Sequence, residues 1–222
     1  MKAKNFITVD TETVGLPPCN LVYDLGYTIA TRKTVLVRRS FLVKEIITDG
    51  DAMMGAFYAK KIFSHYIPAL DTNEISLVSF ADIANTMRKD VEEYNVSVLC
   101  AYNLNFDVSA IRATSAKLSH GKIFSHPLDL LDLWTFASGA LNTRLYHDLA
   151  REQGWISPAG NVRTTAEKAY AYLFGARDFV ESHTALHDAE IETAILQKLL
   201  ARKKRIPYGK PHYAPWKLAQ TT

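Results

Sequence analysis

The sequence predicts an α/β fold: a mixed sheet of about five strands, the first three antiparallel, flanked by helices. Three observations lead there. Runs rich in β-branched and aromatic residues at 5–12, 20–32 and 33–43 follow one another at a spacing that allows an antiparallel meander. The run VSVLCAYN at 96–103 is almost continuously apolar, as a strand buried on both faces is. From residue 51 onward, helical periodicities alternate with such short apolar runs.

The elements follow in order. NFITVDTE (5–12) is a strand that turns polar at its C-terminal end, and NLVYDLGYTIATR (20–32) and KTVLVRRSFLV (33–43) complete a meander. Residues 51–66 read as a helix with Met54, Phe57, Ile62 and Tyr66 on its apolar side and Lys60 and Lys61 on a solvated face. SFADIANTMRKDVEEYN (79–95) is a second helix, capped by Ser79, with Phe80, Ile83, Met87 and Val91 as its stripe. After the buried strand come a helix at 105–118, a fifth strand in HPLDLLDLW (126–134), and helices near 143–154 and 164–175. A long helix at 184–204 ends the series, closed by Pro207.

Composition narrows the class. With 222 residues, 48% of them hydrophobic and 22% charged, the chain suits one soluble domain. Two cysteines, Cys19 and Cys100, form no CxxC, so neither a disulfide framework nor a zinc site is suggested. Reduced thiols, no apolar stretch of spanning length and no leader-like start give a cytoplasmic expectation, with no membrane partner. Charge is uneven: residues 201–222 carry six Lys/Arg and no acid, against 20 basic and 23 acidic residues before them. The expected organisation is a domain at 1–204 and a basic, aromatic C-terminal arm at 205–222. Arg202, Lys203, Lys204 and Arg205 with Tyr208, Tyr213 and Trp216 suit a single nucleic-acid strand, and equally an arm packed on the body or on a second subunit, as in a homodimer.

The acids carry the functional signal. Asp10 and Glu12, spaced i, i+2, point to one face of the first strand. Asp107 follows the buried strand at the mouth of the next helix, and Asp188 lies near the start of the last helix, with His183 five residues before it. Ligand sites of open α/β sheets form outside the carboxyl ends of strands, where three of these acids fall. On a continuous helix, five residues at about 100° each would turn His183 away from Asp188. Both reach one site only if His183 lies in the loop before the helix.

These residues resemble the DnaQ-like, or DEDD, 3′–5′ exonuclease superfamily. DTETVG is similar to its DxE motif, NLNFD (103–107) to its NxxFD motif and HTALHD (183–188) to its HxxxxD motif, in the right order and separated by 97 and 81 residues. The resemblance covers about residues 5–200. His183, rather than a Tyr at position 184, indicates the DEDDh branch. It implies a ribonuclease H-like fold and hydrolysis of phosphodiester bonds from a 3′ end by two divalent cations, Mg²⁺ or Mn²⁺, releasing 5′-mononucleotides. Asp10 would bridge both cations, Glu12 and Asp188 would complete the water-activating site, and Asp107 would serve the second cation. His183 would be the general base, as a near-neutral imidazole pKa allows. Thr13 and Val14 would hold the terminal nucleotide, and Asn103 and Phe106 would support the second motif or touch substrate.

Single-stranded or frayed DNA is the expected substrate. RNA trimming of the RNase T or oligoribonuclease kind is the alternative, and a non-catalytic nucleic-acid-binding module a further one. The segment 44–76 is longer and richer in lysine and aromatics than the matching part of compact proofreading domains, which favours a free-standing enzyme over one bound to a polymerase. Asp132 is expected to form structural hydrogen bonds, His187 to be a helix-surface or packing residue, and Asp129 to have no role in the site.

Overall fold

The structure is a computed structural model that describes residues 4–15, 20–56, 60–124, 127–202, 208–209, 214 and 217. Cys19, Phe57, Lys203, Lys204, Arg205, Pro207, Tyr213 and Trp216, named above, lie outside the described residues.

In chain order, three long strands come first: β1 (Asn5–Val14), β2 (Leu21–Ala30) and β3 (Val35–Val43). Two single-turn helices follow, α1 (Lys44–Ile47) and α2 (Gly50–Met53), then a π-helical turn (Ile62–Tyr66) running into α3 (Ile67–Asp71). A short strand β4 (Ser76–Val78) precedes α4 (Phe80–Glu93), β5 (Val96–Ala101) and α5 (Leu104–Lys117). The rest is β6 (Asp129–Asp132), α6 (Leu133–Leu141), α7 (Arg144–Glu152), α8 (Ala166–Phe174) and α9 (Ala185–Arg202).

The strands form one sheet in the order β4-β3-β2-β1-β5-β6. β1, β2 and β3 pair antiparallel, whereas β5 runs parallel to β1, β6 to β5, and β4 to β3. The sheet thus has six strands rather than about five. Three-residue β4 is too short to show a period in sequence. Two other expectations are corrected. The helix read across 51–66 is interrupted: Met54, assigned to its apolar side, is 86% exposed, and the helical turns lie on either side of it. Leu133 and Trp134, read as the tail of the fifth strand, instead open α6, because the Asp132 carboxylate accepts the Thr135 N–H (2.6 Å) and starts a helix there.

Each face of the sheet carries its own core. Odd positions of β1 and β2, such as Ile7, Val9, Leu25 and Tyr27, pack under α4 and α5. Phe6 from β1 and Val98 and Cys100 from β5 pack on the other face, with α6, α7, α8 and α9. Strand alternation therefore sends Asp10 and Glu12 to the α9 side. Ser79 caps α4 by accepting the Asp82 N–H (3.1 Å). In the arm, the Gly209 N–H donates to the Leu130 carbonyl (2.9 Å), Ala214 is buried and Lys4 Nζ lies 4.2 Å from the Tyr208 ring centroid, so these residues pack on the body. No helix among the described residues is long and apolar enough to cross a membrane.

Candidate active site

Pairing register places the acids of β1. Asp10 is opposite Gly26 and Glu12 opposite Asp24 on β2, and the register shifts between Glu12 and Thr13. This irregularity ends the regular ladder just after the two carboxylates, as bulges beside sites commonly do. α9 crosses over this end of β1. Its close approach depends on Gly26, where a Cβ would stand 2.1 Å from the Leu186 nitrogen and 2.2 Å from the Ala185 carbonyl carbon. Further along, Thr28 and Thr193 share a hydrogen bond of 2.5 Å between hydroxyls. The helix start is tied down by Asp24, whose Oδ2 accepts the Ala185 N–H (3.1 Å) and the Tyr66 hydroxyl (2.8 Å).

Between β1 and α9 lies a cavity of about 240 Å³ whose wall includes Asp10, Glu12, Glu181, His183, Asp188 and Glu192. His183 sits in the loop before α9 with φ +53°, a left-handed conformation unusual for a residue with a Cβ. The placement required for His183 and Asp188 to share a site is the observed one. Its Nδ1 is 4.0 Å from both Asp188 Oδ2 and Glu181 Oε2. Ligand atoms of Glu12, His183 and Asp188 all lie within 4.8 Å of one another.

Asp107 is not among the residues lining the cavity; it is 2% exposed in the first turn of α5 and accepts the hydroxyl of Thr11 (2.8 Å), which does line it. Asn103 stands at the N-cap of that helix with φ +73°, which turns the chain from β5 into α5, and Phe106 is half-buried one turn in. Thr13 is half-buried. Val14 is 3% exposed and packs in the core, so its side chain faces away from the cavity.

Asp132 accepts both the Leu104 and Thr135 N–H groups (2.9 and 2.6 Å), and Asp129 pairs on the surface with Lys4 (2.5 Å). His187 bonds to the Ser182 hydroxyl through Nδ1 (2.6 Å). Asp132 thus makes the structural hydrogen bonds expected of it. Lys61 departs from its expected place. It leaves the solvated face assigned to it and donates from Nζ to the Ser182 carbonyl (2.5 Å) and to the His183 carbonyl. Glu181 and Glu192 were not read as site residues. Glu192, 2% exposed, accepts the Tyr102 N–H (2.9 Å) one helical turn beyond Asp188. That i, i+4 spacing from Asp188 was the available signal.

The electrostatics follow from crowding acids into a poorly hydrated place. Burial, then the charges of Asp107, Glu192, Asp188 and Glu12, push Asp10 well above the carboxylate range. Burial, then Asp24, pushes Glu12 up to about 8, with Lys61 opposing. Burial pushes Asp188 to about 7 and Asp107 to about 7, and Glu192 well up. For His183, burial and then Lys61 hold the imidazole below its ordinary value.

Among the described residues, Asp188 Oδ1 is buried with no hydrogen-bond partner. A buried carboxylate oxygen without a donor is costly unless a cation completes it. The donor set is dominated by carboxylate oxygens, which suits hard divalent cations such as Mg²⁺ or Mn²⁺. The residues therefore fit such ions: Glu12, His183 and Asp188 offer ligand atoms within 4.8 Å of one another, and Asp10 lines the same cavity.

The sequence matches no protein-family model and no curated protein. Solved structures do match in fold. One is a 3′-exonuclease described in the 3′-end-specific recognition of a histone mRNA stem-loop (TM-score 0.65, 10% identity, 96% of this chain and 69% of that one). Another is a full-length 3′-exonuclease (0.64, 11%, 97% and 90%). A third is the cell-death related nuclease CRN-4 (0.60, 10%, 93% and 67%). The chain thus has the ribonuclease H-like fold found in these 3′-exonucleases, over nearly its whole length.

Proposed function

We propose that this protein is a metal-dependent 3′–5′ exonuclease that removes nucleotides from single-stranded or frayed 3′ ends and releases 5′-monophosphates. The observation that carries the reading is the shared cavity: two carboxylates from β1 meet His183, in the loop before α9, and Asp188 of α9 there, and one Asp188 oxygen has no donor among the described residues. The folds it resembles include 3′-exonucleases, which supports the same reaction class.

In this reading Asp10, Glu12 and Asp188 would hold two divalent cations, Mg²⁺ or Mn²⁺, with Asp107 serving the second. Such a pair, when bound, would lower the pKa of an attacking water and stabilise the leaving 3′ oxygen. His183 would accept a proton from the attacking water on a ring nitrogen. Its lowered pKa keeps the ring neutral near pH 7, the form that accepts a proton. Asp107 stays oriented through Thr11, and Thr13 would hold the terminal nucleotide. Asn103 shapes the turn that presents Asp107.

DNA is the substrate favoured by the first motif's likeness to proofreading domains, with a cytoplasmic, free-standing protein acting without a polymerase. RNA is the second reading, favoured by the similar fold whose description is recognition of a histone mRNA 3′ end. A panel of 5′-labelled single- and double-stranded DNA and RNA, with Mg²⁺ and with Mn²⁺, tests both. A ladder shortening from the 3′ end on one sugar selects that reading. Binding of any strand with no metal-dependent shortening would instead make the protein a binding module.

A further inference from the structure

We propose that Lys61 is a positioning residue for His183: carried by the π-helical turn, its ammonium fixes the backbone of the loop that presents the imidazole to the cavity. The inference rests on the exonuclease reading only for the role of the imidazole. The grip itself stands on geometry.

Lys61 Nζ donates to two consecutive carbonyls, Ser182 (2.5 Å) and His183. The second belongs to a residue at φ +53°, a backbone state that side chains with a Cβ leave unless their surroundings hold them. Capping that carbonyl and the one before it is such a restraint. The other flank of the loop is held from the same short segment. Tyr66 donates to Asp24 Oδ2, and this oxygen also accepts the Ala185 N–H. Residues 182–185 are thereby gripped at both ends by residues five apart in sequence.

The π turn explains how one segment does both. Its hydrogen bonds run from i to i+5, as from the Ile67 N–H to the Ile62 carbonyl, so Lys61 and Tyr66 come round to one side. An α-helical turn would bring residues three or four apart together instead. Glu12, Asp24 and Asp188 stand near enough to attract the ammonium inward. The lysine therefore has a reason to remain over the loop rather than extend into water, although it lies 122 residues from His183 in sequence.

The test uses the full-length protein with Lys61→Met, Lys61→Arg and Tyr66→Phe. Hydrogen exchange at the amides of residues 182–185 should quicken in Lys61→Met and Tyr66→Phe, by about tenfold or more, and return towards wild type in Lys61→Arg. Against the substrate the panel selects, Lys61→Met should lower kcat by about 10²-fold, as a misplaced reacting group does, with KM within about threefold. In a His183→Ala background the same change should cost almost nothing more, because the residue acts through the imidazole. Mn²⁺ affinity should stay within about threefold of wild type. Unchanged exchange at 182–185 in Lys61→Met overturns the grip, whether or not the protein is a nuclease. A raised KM at constant kcat, or an additive loss with His183→Ala, overturns the positioning role and makes Lys61 a phosphate contact. If Lys61→Met fails to fold, Tyr66→Phe and the Lys61→Arg rescue decide. Absence of activity in the wild-type protein sinks the exonuclease reading and leaves the exchange experiment standing.

Discussion

Gly26 and Leu186 touch through their backbones: a methyl group on Gly26 would lie 2.1 Å from the Leu186 nitrogen. Because Gly26 is also the cross-strand partner of Asp10, this contact sets the distance between the β1 acids and the start of α9. Gly26→Ala forces α9 away from β2, since the obstacle is main chain and cannot rotate aside. We expect a loss of about 2–4 kcal/mol in stability, in the upper range for overpacking. Activity should fall further than stability, by about 10²-fold at temperatures where the variant is folded, because the two halves of the cavity separate. Denaturant unfolding and single-turnover rates check this, and a variant with native stability would mean that α9 does not sit this close.

Asp10 shares its surroundings with Asp107, Glu192, Asp188 and Glu12, all of which disfavour its charge. Asp10→Asn removes one member of a mutually repelling set. The metal-free variant should therefore melt at the same temperature as wild type or above it, while the proposed nuclease activity disappears. A cation clamp of the proposed kind is worth several kcal/mol of transition-state stabilisation, so the activity loss should reach about 10³-fold or more. A lower Tm in chelator would show that Asp10 has a structural partner, and retained activity in protein free of host nuclease would remove it from the site.

The same crowding fixes a pH dependence. Burial, chiefly, raises Asp24 to about 6, Asp188 to about 7, and Glu12 and Glu181 to about 8. A carboxyl whose folded pKa exceeds its unfolded value binds its proton more tightly in the native state. Its contribution is complete below the unfolded pKa and is lost as pH rises through the folded one. In chelator, then, Tm should fall as pH rises from about 5 to about 8.5, the reverse of the usual carboxylate trend. Mn²⁺ or Mg²⁺ should raise Tm most at the alkaline end, where the acids are ionised. A Tm in chelator that is flat or rising across this window would contradict the buried acid cluster.

How much of this was legible in the sequence depends on how far each signal reaches. Asp10 and Glu12 could be placed on one face because strand period alone determines it, and His183 could be placed in a loop because helix geometry excludes the alternative. Ser79 and the buried strand β5 were legible for the same local reason. Lys61 and Gly26 were not. Their roles exist only against residues more than 120 positions away, and nothing in AKK or DLGY marks a carbonyl pair or a crossing helix. α6 was hidden because LWTFA is apolar enough for either state, and the decisive event is the Asp132 cap. The burial of the Val14 side chain in the core was not legible either, because the pairing of β1 with β2 shifts after Glu12 and no residue in TVG marks the shift.

His183 poses the sharpest chemical choice in the site. Its ring nitrogen lies close enough to ligand atoms of Glu12 and Asp188 for the three to share one ion, so the imidazole could be a ligand as well as a base. Two arguments favour the base. Hard divalent cations take oxygen in preference to nitrogen, and the cavity supplies carboxylates in excess of what one ion requires. His183 also stands in a loop with 42% of its side chain exposed, whereas Asp188 is buried in the first turn of α9 with an unpartnered oxygen. His183→Ala should accordingly lower turnover by about 10²–10⁴-fold, the span of general-base catalysis, while Mn²⁺ titration by calorimetry gives nearly the wild-type affinity. Asp188→Ala should lose both. A drop in Mn²⁺ affinity in His183→Ala equal to that in Asp188→Ala would make His183 a ligand, and the proton would then have to be taken by another group in the cavity wall.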